Sequence, residues 1–219
     1  MTSPSDAPVR ASGTRTRSGN AMPRTRAAIL DATAECIARD GVRKTTMSDV
    51  SAQARIAKAT LYNHFRTKDD LMSALVLARV EQLAAECAEL AVAGLAPALE
   101  HAGRWLAGNA ALRRVATEEP AIAAALATPG TGRGWETARR GVETVLRESG
   151  APTDGVAVDI VLRWLCGQVL WAAGEAELAL AARLLADGLG RAPVAVPLVA
   201  ETPAYADVRP APPGVGWPT

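Results

Sequence analysis

Residues 46–65 read TMSDVSAQARIAKATLYNHF, and this stretch decides the fold. It predicts two short helices joined by a tight turn, which is the layout of a helix-turn-helix. Thr46 and Asp49 have the spacing of a capping box, so we expect the first helix to begin directly after Thr46. The turn Arg55-Ile56-Ala57 then leads into a second helix at about residues 58–64.

The two faces of this helix pair differ in polarity. The residues at the inward positions are apolar, and they are Met47, Val50, Ala54, Ile56, Leu61 and Phe65. The opposite face of the second helix carries Lys58, Ala59, Thr60 and Asn63, which are small or polar. A helix with such a face can enter the major groove of DNA, which is about 12 Å wide. The pattern therefore predicts a recognition helix.

The composition favours an all-α protein with its positive charge at one end. Hydrophobic residues make up 49% of the 219 residues and aromatic residues only 4%, and Ala and Leu dominate, which favours helices over strands. Residues 1–80 hold 13 Lys/Arg against 7 Asp/Glu, whereas residues 81–219 hold 11 against 16. A basic N-terminal part on an acidic remainder indicates a polyanionic partner at that end.

The two terminal segments lack the apolar periodicity of a packed helix. Residues 1–22 are rich in Pro, Ser, Gly and Thr and contain Arg10, Arg15 and Arg17, which predicts a disordered basic arm. Residues 192–219 are rich in proline and predict a tail without a core of its own.

The chain between these segments is predicted to form two helical domains. Residues 23–82 hold the helix-turn-helix between a helix at about 24–40 and a long helix that begins after a second capping box at Thr67 and reaches about Val92. Residues 83–191 are predicted to form a ligand-binding and dimerisation domain. Its helices are expected near residues 97–109, 110–117, 119–127, 135–149, 155–173 and 175–190.

Several function classes are disfavoured by the same residues. Cys36, Cys87 and Cys166 are far apart and have no zinc-ligand spacing, which argues for a reducing compartment and against a disulfide or a metal site. We expect a cytoplasmic protein, because no long apolar run or signal-peptide pattern is present. The glycines of residues 128–134 do not fit a phosphate loop, so no cofactor is expected, and no catalytic arrangement can be placed, which argues against an enzyme.

A set of short motifs resembles the conserved signature of the TetR family of regulators. The motifs are Gly41-Val42, Thr45-Thr46, Thr60-Leu61-Tyr62-Asn63-His64-Phe65 and Lys68-Asp69-Asp70-Leu71. The resemblance covers about residues 24–80 and is only architectural beyond them. It implies a three-helix DNA-binding domain, a linking fourth helix, and a C-terminal domain that dimerises and usually binds a small molecule.

Two positions in the helix-turn-helix depart from that signature. Arg55 stands where the family usually has glycine, and a positive φ there would strain a residue with a side chain. Ala57 stands where the family often has serine, which removes a side-chain cap from the recognition helix.

Nine residues are candidates for contact with DNA. On the recognition helix, Lys58, Thr60 and Asn63 can reach base edges, and Ala59 leaves room for the approach. The other candidates would contact phosphates, by their chemistry or by the resemblance, and they are Thr46, Arg55, Tyr62, His64 and Lys68. Packing in the core is the alternative for Tyr62, and it is as good an interpretation as phosphate contact for His64.

The helix expected at residues 155–173 predicts a homodimer. Asp159 and Arg163 are its only charged residues, so most of its circumference must be buried, and a second copy of the chain would cover it. The resemblance implies the same arrangement. A dimer with twofold symmetry would place two recognition helices on the half-sites of a palindromic operator.

Two polar-aromatic stripes are candidates for an effector cavity. One is spaced by four residues and consists of His101, Trp105 and Asn109. The other has the spacing i, i+4 and i+7 and consists of Trp164, Gln168 and Trp171. Ordinary core and dimer packing is the alternative for both stripes. Few charges accompany them, which favours a mainly apolar or aromatic effector.

The sequence thus leads to one function and one alternative to it. We predict a DNA-binding transcriptional repressor that a small-molecule effector releases from its operator. The alternative is an effector-independent DNA-binding dimer that acts as a constitutive or architectural regulator. Release of DNA on ligand binding would separate the two.

Overall fold

The computed structural model describes residues 21–191, and this part of the chain contains ten helices and no strand. The helices are α1 (Ala21–Asp40), α2 (Met47–Gln53), α3 (Lys58–His64), α4 (Lys68–Ala91), α5 (Leu95–Gly108), α6 (Ala110–Glu118), α7 (Pro120–Ala127), α8 (Arg133–Glu148), α9 (Gly155–Leu170) and α10 (Glu175–Gly190). The all-α class expected from the composition is confirmed. None of the helices described could cross a membrane.

The start of α1 differs from the prediction for the N-terminal arm. The helix begins at Ala21, so it includes the last two residues of the predicted arm at 1–22. Pro23 does not prevent this, because the first turn of a helix has no internal partner for its N–H groups. The rest of the predicted arm, with Arg10, Arg15 and Arg17, and the predicted tail at 192–219 lie outside the described residues.

Both predicted capping boxes are present. At the start of α2, the Thr46 hydroxyl accepts a hydrogen bond from the Asp49 amide at 3.2 Å, and the Asp49 carboxylate accepts one from the Thr46 amide at 2.9 Å. Thr67 and Asp70 make the same reciprocal pair at the start of α4, at 3.0 and 3.1 Å. Each pair satisfies two donors that the helix geometry leaves open, which fixes where α2 and α4 begin.

One hydrophobic core holds the N-terminal helices together and extends beyond them. Ile29 of α1, Val50 of α2 and Leu61 of α3 are fully buried in it. Val115 of α6 and Ala123 of α7 belong to the same cluster. The N-terminal helices therefore pack on part of the C-terminal half of the chain, chiefly through α1 against α6.

A second core joins α4, α5, α8, α9 and α10, with Leu99 and Leu146 near its centre. The long helix α4 belongs to both cores, since Leu71 and Leu75 contribute to the first and Cys87 to the second. The predicted domain boundary after residue 82 thus falls inside an unbroken helix. The two halves of the chain are connected by this helix as well as by the contacts of α6 and α7.

Helices α4 and α8 pack so closely that Gly141 has no room for a side chain. A Cβ built on Gly141 would lie 2.7 Å from the Cβ of Ala84 on α4. We expect Gly141→Ala to lower the free energy of unfolding by about 1–3 kcal/mol, because the helices must separate. Denaturant unfolding measures the change.

The matched control for this variant is Gly108→Ala at the end of α5, where nothing lies within 4 Å of an added Cβ. It should be neutral or slightly stabilising, since alanine is the better helix former. Equal stabilities of the two variants would contradict the tight packing of α4 on α8.

Candidate nucleic-acid interface and adjoining cavity

The turn between α2 and α3 has the geometry of a tight helix-turn-helix. The amides of Arg55 and Ile56 bond to the carbonyls of Ala52 and Ser51 at 3.1 and 3.0 Å, which closes the turn. Arg55 has a φ of 54° and is the only non-glycine residue with a positive φ between residues 21 and 191. The strain expected where glycine is replaced is therefore present in the backbone.

Helix α3 separates an apolar back from an accessible front. Leu61 is fully buried, whereas Lys58, Ala59 and Asn63 are exposed and Thr60 is half-buried. Ala57 caps the helix with extended backbone and no side-chain bond, as its residue type predicts. Within the described residues, the front that the sequence predicts for contact with bases is thus accessible, with Thr60 half-buried at its side.

Tyr62 and His64 have different surroundings. The Tyr62 side chain is 49% exposed, so the core alternative does not describe its position. His64 is half-buried, and its ring centre lies 6.4 Å from that of Phe65. Arg26 of α1 lies over the Phe65 ring, with its guanidinium carbon 4.4 Å from the ring centroid. Packing and phosphate contact both stay open for His64.

The Thr46 and Lys68 side chains are partly engaged within the protein. The Thr46 hydroxyl lies 2.6 Å from the Asp49 carboxylate, and its hydrogen bonds lower the pKa of Asp49. The Lys68 ammonium donates to the carbonyl of Arg43 at 3.2 Å. Burial lowers the pKa of Lys68, although the nearby carboxylates of Glu119 and Asp69 oppose that change. A phosphate contact from either residue stays a prediction.

Six exposed basic side chains lie in the helix-turn-helix or in the segments of sequence next to it. They are Arg24, Arg43, Lys44, Arg55, Lys58 and Arg66. None of these side chains forms an ion pair with a residue that the structure describes. Their charge is therefore available to a polyanion, which agrees with the basic N-terminal part noted in the sequence.

A cavity of about 580 Å³ lies in the C-terminal half, between α4, α5, α7, α8 and α9. Its wall is apolar and includes Val80, Leu99, Trp135 and Val161. Arg43 is the one charged residue among those that line it. This volume is in the range of small-molecule sites, which is about 300–1,000 Å³.

A second cavity of about 200 Å³ adjoins the first. The two share Leu106, Ile122 and Leu126. Trp105 and Asn109 of the first predicted stripe line this smaller space and not the larger one. An apolar molecule could therefore occupy the main cavity and extend towards these two residues.

The first stripe has other partners besides the cavity. His101 contacts the Glu86 carboxylate of α4 at 2.8 Å, which lowers the pKa of Glu86. Asn109 lies one residue beyond the end of α5 and caps α6, accepting a hydrogen bond from the Leu112 amide at 3.0 Å.

The second stripe is shortened, because α9 ends at Leu170 and not at the predicted residue 173. The guanidinium of Arg113 donates to the carbonyls of Gln168 and Val169 at 2.8 and 2.9 Å, and these bonds satisfy carbonyls at the end of the helix.

The three residues of the second stripe have different surroundings. Trp171 is 85% exposed. The buried Gln168 amide oxygen accepts from the Ala173 amide at 3.1 Å. Trp164 packs in the second core.

These six residues are thus not gathered around one cavity, and their contact with a ligand stays a prediction. The sequence did not point to Trp135, Arg43 or Glu119, which lie at or near the main cavity. A tryptophan directly after the glycine-rich segment was the only signal for Trp135. Glu119 had none, because its role depends on a contact across 77 residues.

Comparison with known proteins agrees with this description. Residues 29–75 match the model of a family described as bacterial regulatory proteins, tetR family. No curated protein sequence matches the chain. The match covers α2, α3 and most of α1, and it ends within α4.

Solved structures with the same fold include three regulators. The TetR family repressor AlkX from Dietzia sp. strain DQ12-45-1b is 20% identical over 75% of this chain and 95% of its own, with a TM-score of 0.58. The regulator FadR from Bacillus subtilis, solved with stearoyl-CoA, is 21% identical over 74% and 98%, with a TM-score of 0.54. A TetR family member from Streptomyces coelicolor A3 is 24% identical over 75% and 99%, with a TM-score of 0.53. The resemblance drawn from the sequence motifs is confirmed.

Proposed function

We propose that the protein is a homodimeric repressor of the TetR family of bacterial regulatory proteins, whose model matches residues 29–75, and that a small apolar effector releases it from its operator. The single observation that carries DNA binding is the accessible front of α3. Lys58, Ala59 and Asn63 are exposed there, while the back of the helix is fixed by the buried Leu61. A rigid helix with a polar, unpacked front is what major-groove reading needs.

Two exposed apolar stripes support the homodimer. On α9, Val156, Ile160 and Leu170 are exposed at helical spacing, with exposed fractions of 62%, 36% and 51%. On α10, Leu180 and Leu184 are 56% and 63% exposed. Large apolar side chains grouped on two helices of a monomer typically mark a protein interface. A second copy that covers them would also bring two α3 helices to one operator.

The apolar wall of the main cavity supports an effector with a long hydrocarbon part. Such a wall offers dispersion contacts and few hydrogen bonds, so it selects for apolar ligands. Two proteins of the same fold are associated with such compounds. FadR was solved with stearoyl-CoA, and AlkX is implicated in biodegradation of n-alkanes. We infer that the effector of this protein is of the same chemical type, an alkyl or acyl chain.

The test of DNA binding begins with a random pool of duplexes. Rounds of selection with the full-length protein should enrich a palindrome whose half-sites are about one helical turn apart. Recovery of duplexes without a common motif would contradict a sequence-specific regulator and would favour the architectural alternative.

The test of effector binding uses Trp135, which lines the main cavity. Oleate and stearoyl-CoA should change the tryptophan fluorescence and weaken binding to the selected operator by about 5- to 150-fold, which is the usual range of such coupling. Trp135→Phe should lose most of the fluorescence change. Trp171→Phe is the matched control, because Trp171 is exposed and lies outside the cavity.

The outcomes of this test separate the two functions. A fluorescence change without any change in operator affinity would favour the effector-independent regulator. A response that is lost in Trp171→Phe and kept in Trp135→Phe would place the ligand outside the main cavity.

A further inference from the structure

The carboxylate of Glu119 connects the two halves of the protein. Glu119 lies between α6 and α7, and its residue is only 7% exposed. One carboxylate oxygen accepts the amide of Val42 at 2.7 Å, and the other accepts the amide of Arg43 at 2.8 Å. Both amides belong to the loop between α1 and α2, directly before the helix-turn-helix.

This contact requires a glycine beside it. Gly41 has a φ of 84°, which residues with side chains rarely adopt. A Cβ on Gly41 would lie 3.2 Å from the nearer carboxylate oxygen of Glu119. The carboxylate therefore rests on the bare backbone of the loop, where it can reach two successive amides at once.

On the DNA-binding side, the loop is tied to both ends of the helix-turn-helix. The Thr45 hydroxyl donates to the Gly41 carbonyl at 2.7 Å, and the next residue caps α2. Lys68, which follows α3, donates to the Arg43 carbonyl at 3.2 Å. A shift of the loop would consequently act on α2 through its cap and, through Lys68, on the start of α4, which follows α3.

On the side of the cavity, Glu119 caps the N-terminus of α7, and α7 lines the main cavity. The Glu119 carbonyl accepts the amides of Ile122 and Ala123 at 2.8 and 3.2 Å, so its backbone moves with α7. Four residues of α7 line the main cavity, and they are Ala121, Ile122, Ala125 and Leu126. Arg43, whose amide Glu119 holds, lines it as well.

We propose that Glu119 is the positioning residue through which occupancy of the cavity changes the setting of the helix-turn-helix. A molecule that moves α7 outward draws the carboxylate away from two amides, and the loop before α2 loses its fixed position. The inference rests on the proposed function, because it needs an effector and an operator. A ligand acts on DNA binding only through a difference between two states, and this pair of hydrogen bonds supplies one.

The experiment compares Glu119→Gln with the wild-type full-length protein. Glutamine keeps the size of the side chain, but its NH2 group cannot accept the second amide. The affinity for oleate without DNA, followed by tryptophan fluorescence, should change by less than about 3-fold. The effect of oleate on operator affinity should fall from about 5- to 150-fold towards no effect.

The matched control is Glu118→Gln. Glu118 is the exposed neighbour and pairs with Arg114 on the surface of α6. This variant should retain the full effect of oleate on operator affinity. A loss of coupling in Glu118→Gln equal to that in Glu119→Gln would overturn the assignment.

If Glu119→Gln does not fold, a measurement on the wild-type protein can test the role of Glu119 instead. Hydrogen exchange at the amides of Val42 and Arg43 should accelerate when oleate binds, because the carboxylate no longer protects them. Unchanged exchange at both amides, in a protein whose operator affinity does respond to oleate, overturns the role of Glu119 alone. A wild-type protein whose operator affinity responds to neither oleate nor stearoyl-CoA overturns the proposed effector function and this inference with it.

Discussion

Lys58→Glu should weaken operator binding by at least about 30-fold, since a lost contact costs about 1–3 kcal/mol and a dimer loses it twice. Lys58 is the first residue of α3, and its exposed side chain has no ion-pair partner among the described residues. The variant would lose the contact to base edges that we predict for Lys58 and would bring a negative charge into the groove between the phosphates, at both half-sites. Fluorescence anisotropy at several salt concentrations measures the effect, which should shrink as salt screens it.

The control for Lys58→Glu is Arg147→Glu, which makes the same change in net charge at the exposed end of α8. It should alter operator affinity by less than about 3-fold, because screening removes most of its field beyond about 10 Å. Equal losses in the two variants would mean that net charge alone determines binding. The recognition role of α3 would then be excluded.

The second large effect is expected from Ile160→Glu combined with Leu184→Glu. These residues lie on the exposed apolar stripes of α9 and α10, and burying two carboxylates per chain in an interface is strongly unfavourable. The variant should sediment as a monomer. It should bind the operator about 10²- to 10⁴-fold more weakly, because a monomer contacts one half-site and loses the affinity that simultaneous binding of both half-sites provides.

Val92→Glu is the matched control, since Val92 is 75% exposed but lies at the end of α4 outside both stripes. It should remain a dimer with full operator affinity. Circular dichroism should show the same helix content for both variants. A double variant that still sediments as a dimer would place the interface elsewhere.

Local rules were sufficient to predict the helix-turn-helix from the sequence. Thr46 with Asp49 and Thr67 with Asp70 fix two helix starts through hydrogen bonds between residues three apart. The strain at Arg55 was expected from the resemblance, because Arg55 stands where the family usually has glycine, and its positive φ agrees with that expectation. Interactions of this range are contained in a short stretch of sequence.

The cavity that we propose as the effector site could not be predicted in the same way. Their spacing shows that His101, Trp105 and Asn109 lie on one face of a helix. It does not show which other helix packs against that face. His101 meets Glu86 of α4, and Asn109 is taken up by capping the next helix. The main cavity is formed by alanines, valines and leucines of five helices, which look like any other core residues in the sequence.

Because helix α4 is long, a small rotation at one of its ends produces a large displacement at the other. Its 24 residues span about 36 Å at the usual rise of 1.5 Å per residue. A rotation of about 5° around its cavity end would displace its other end by about 3 Å, which is close to the spacing of one base pair, about 3.4 Å. Since α4 begins at Lys68, shortly after α3 ends at His64, an effector of the kind proposed would be able to shift α3 out of register with its half-site without breaking the core.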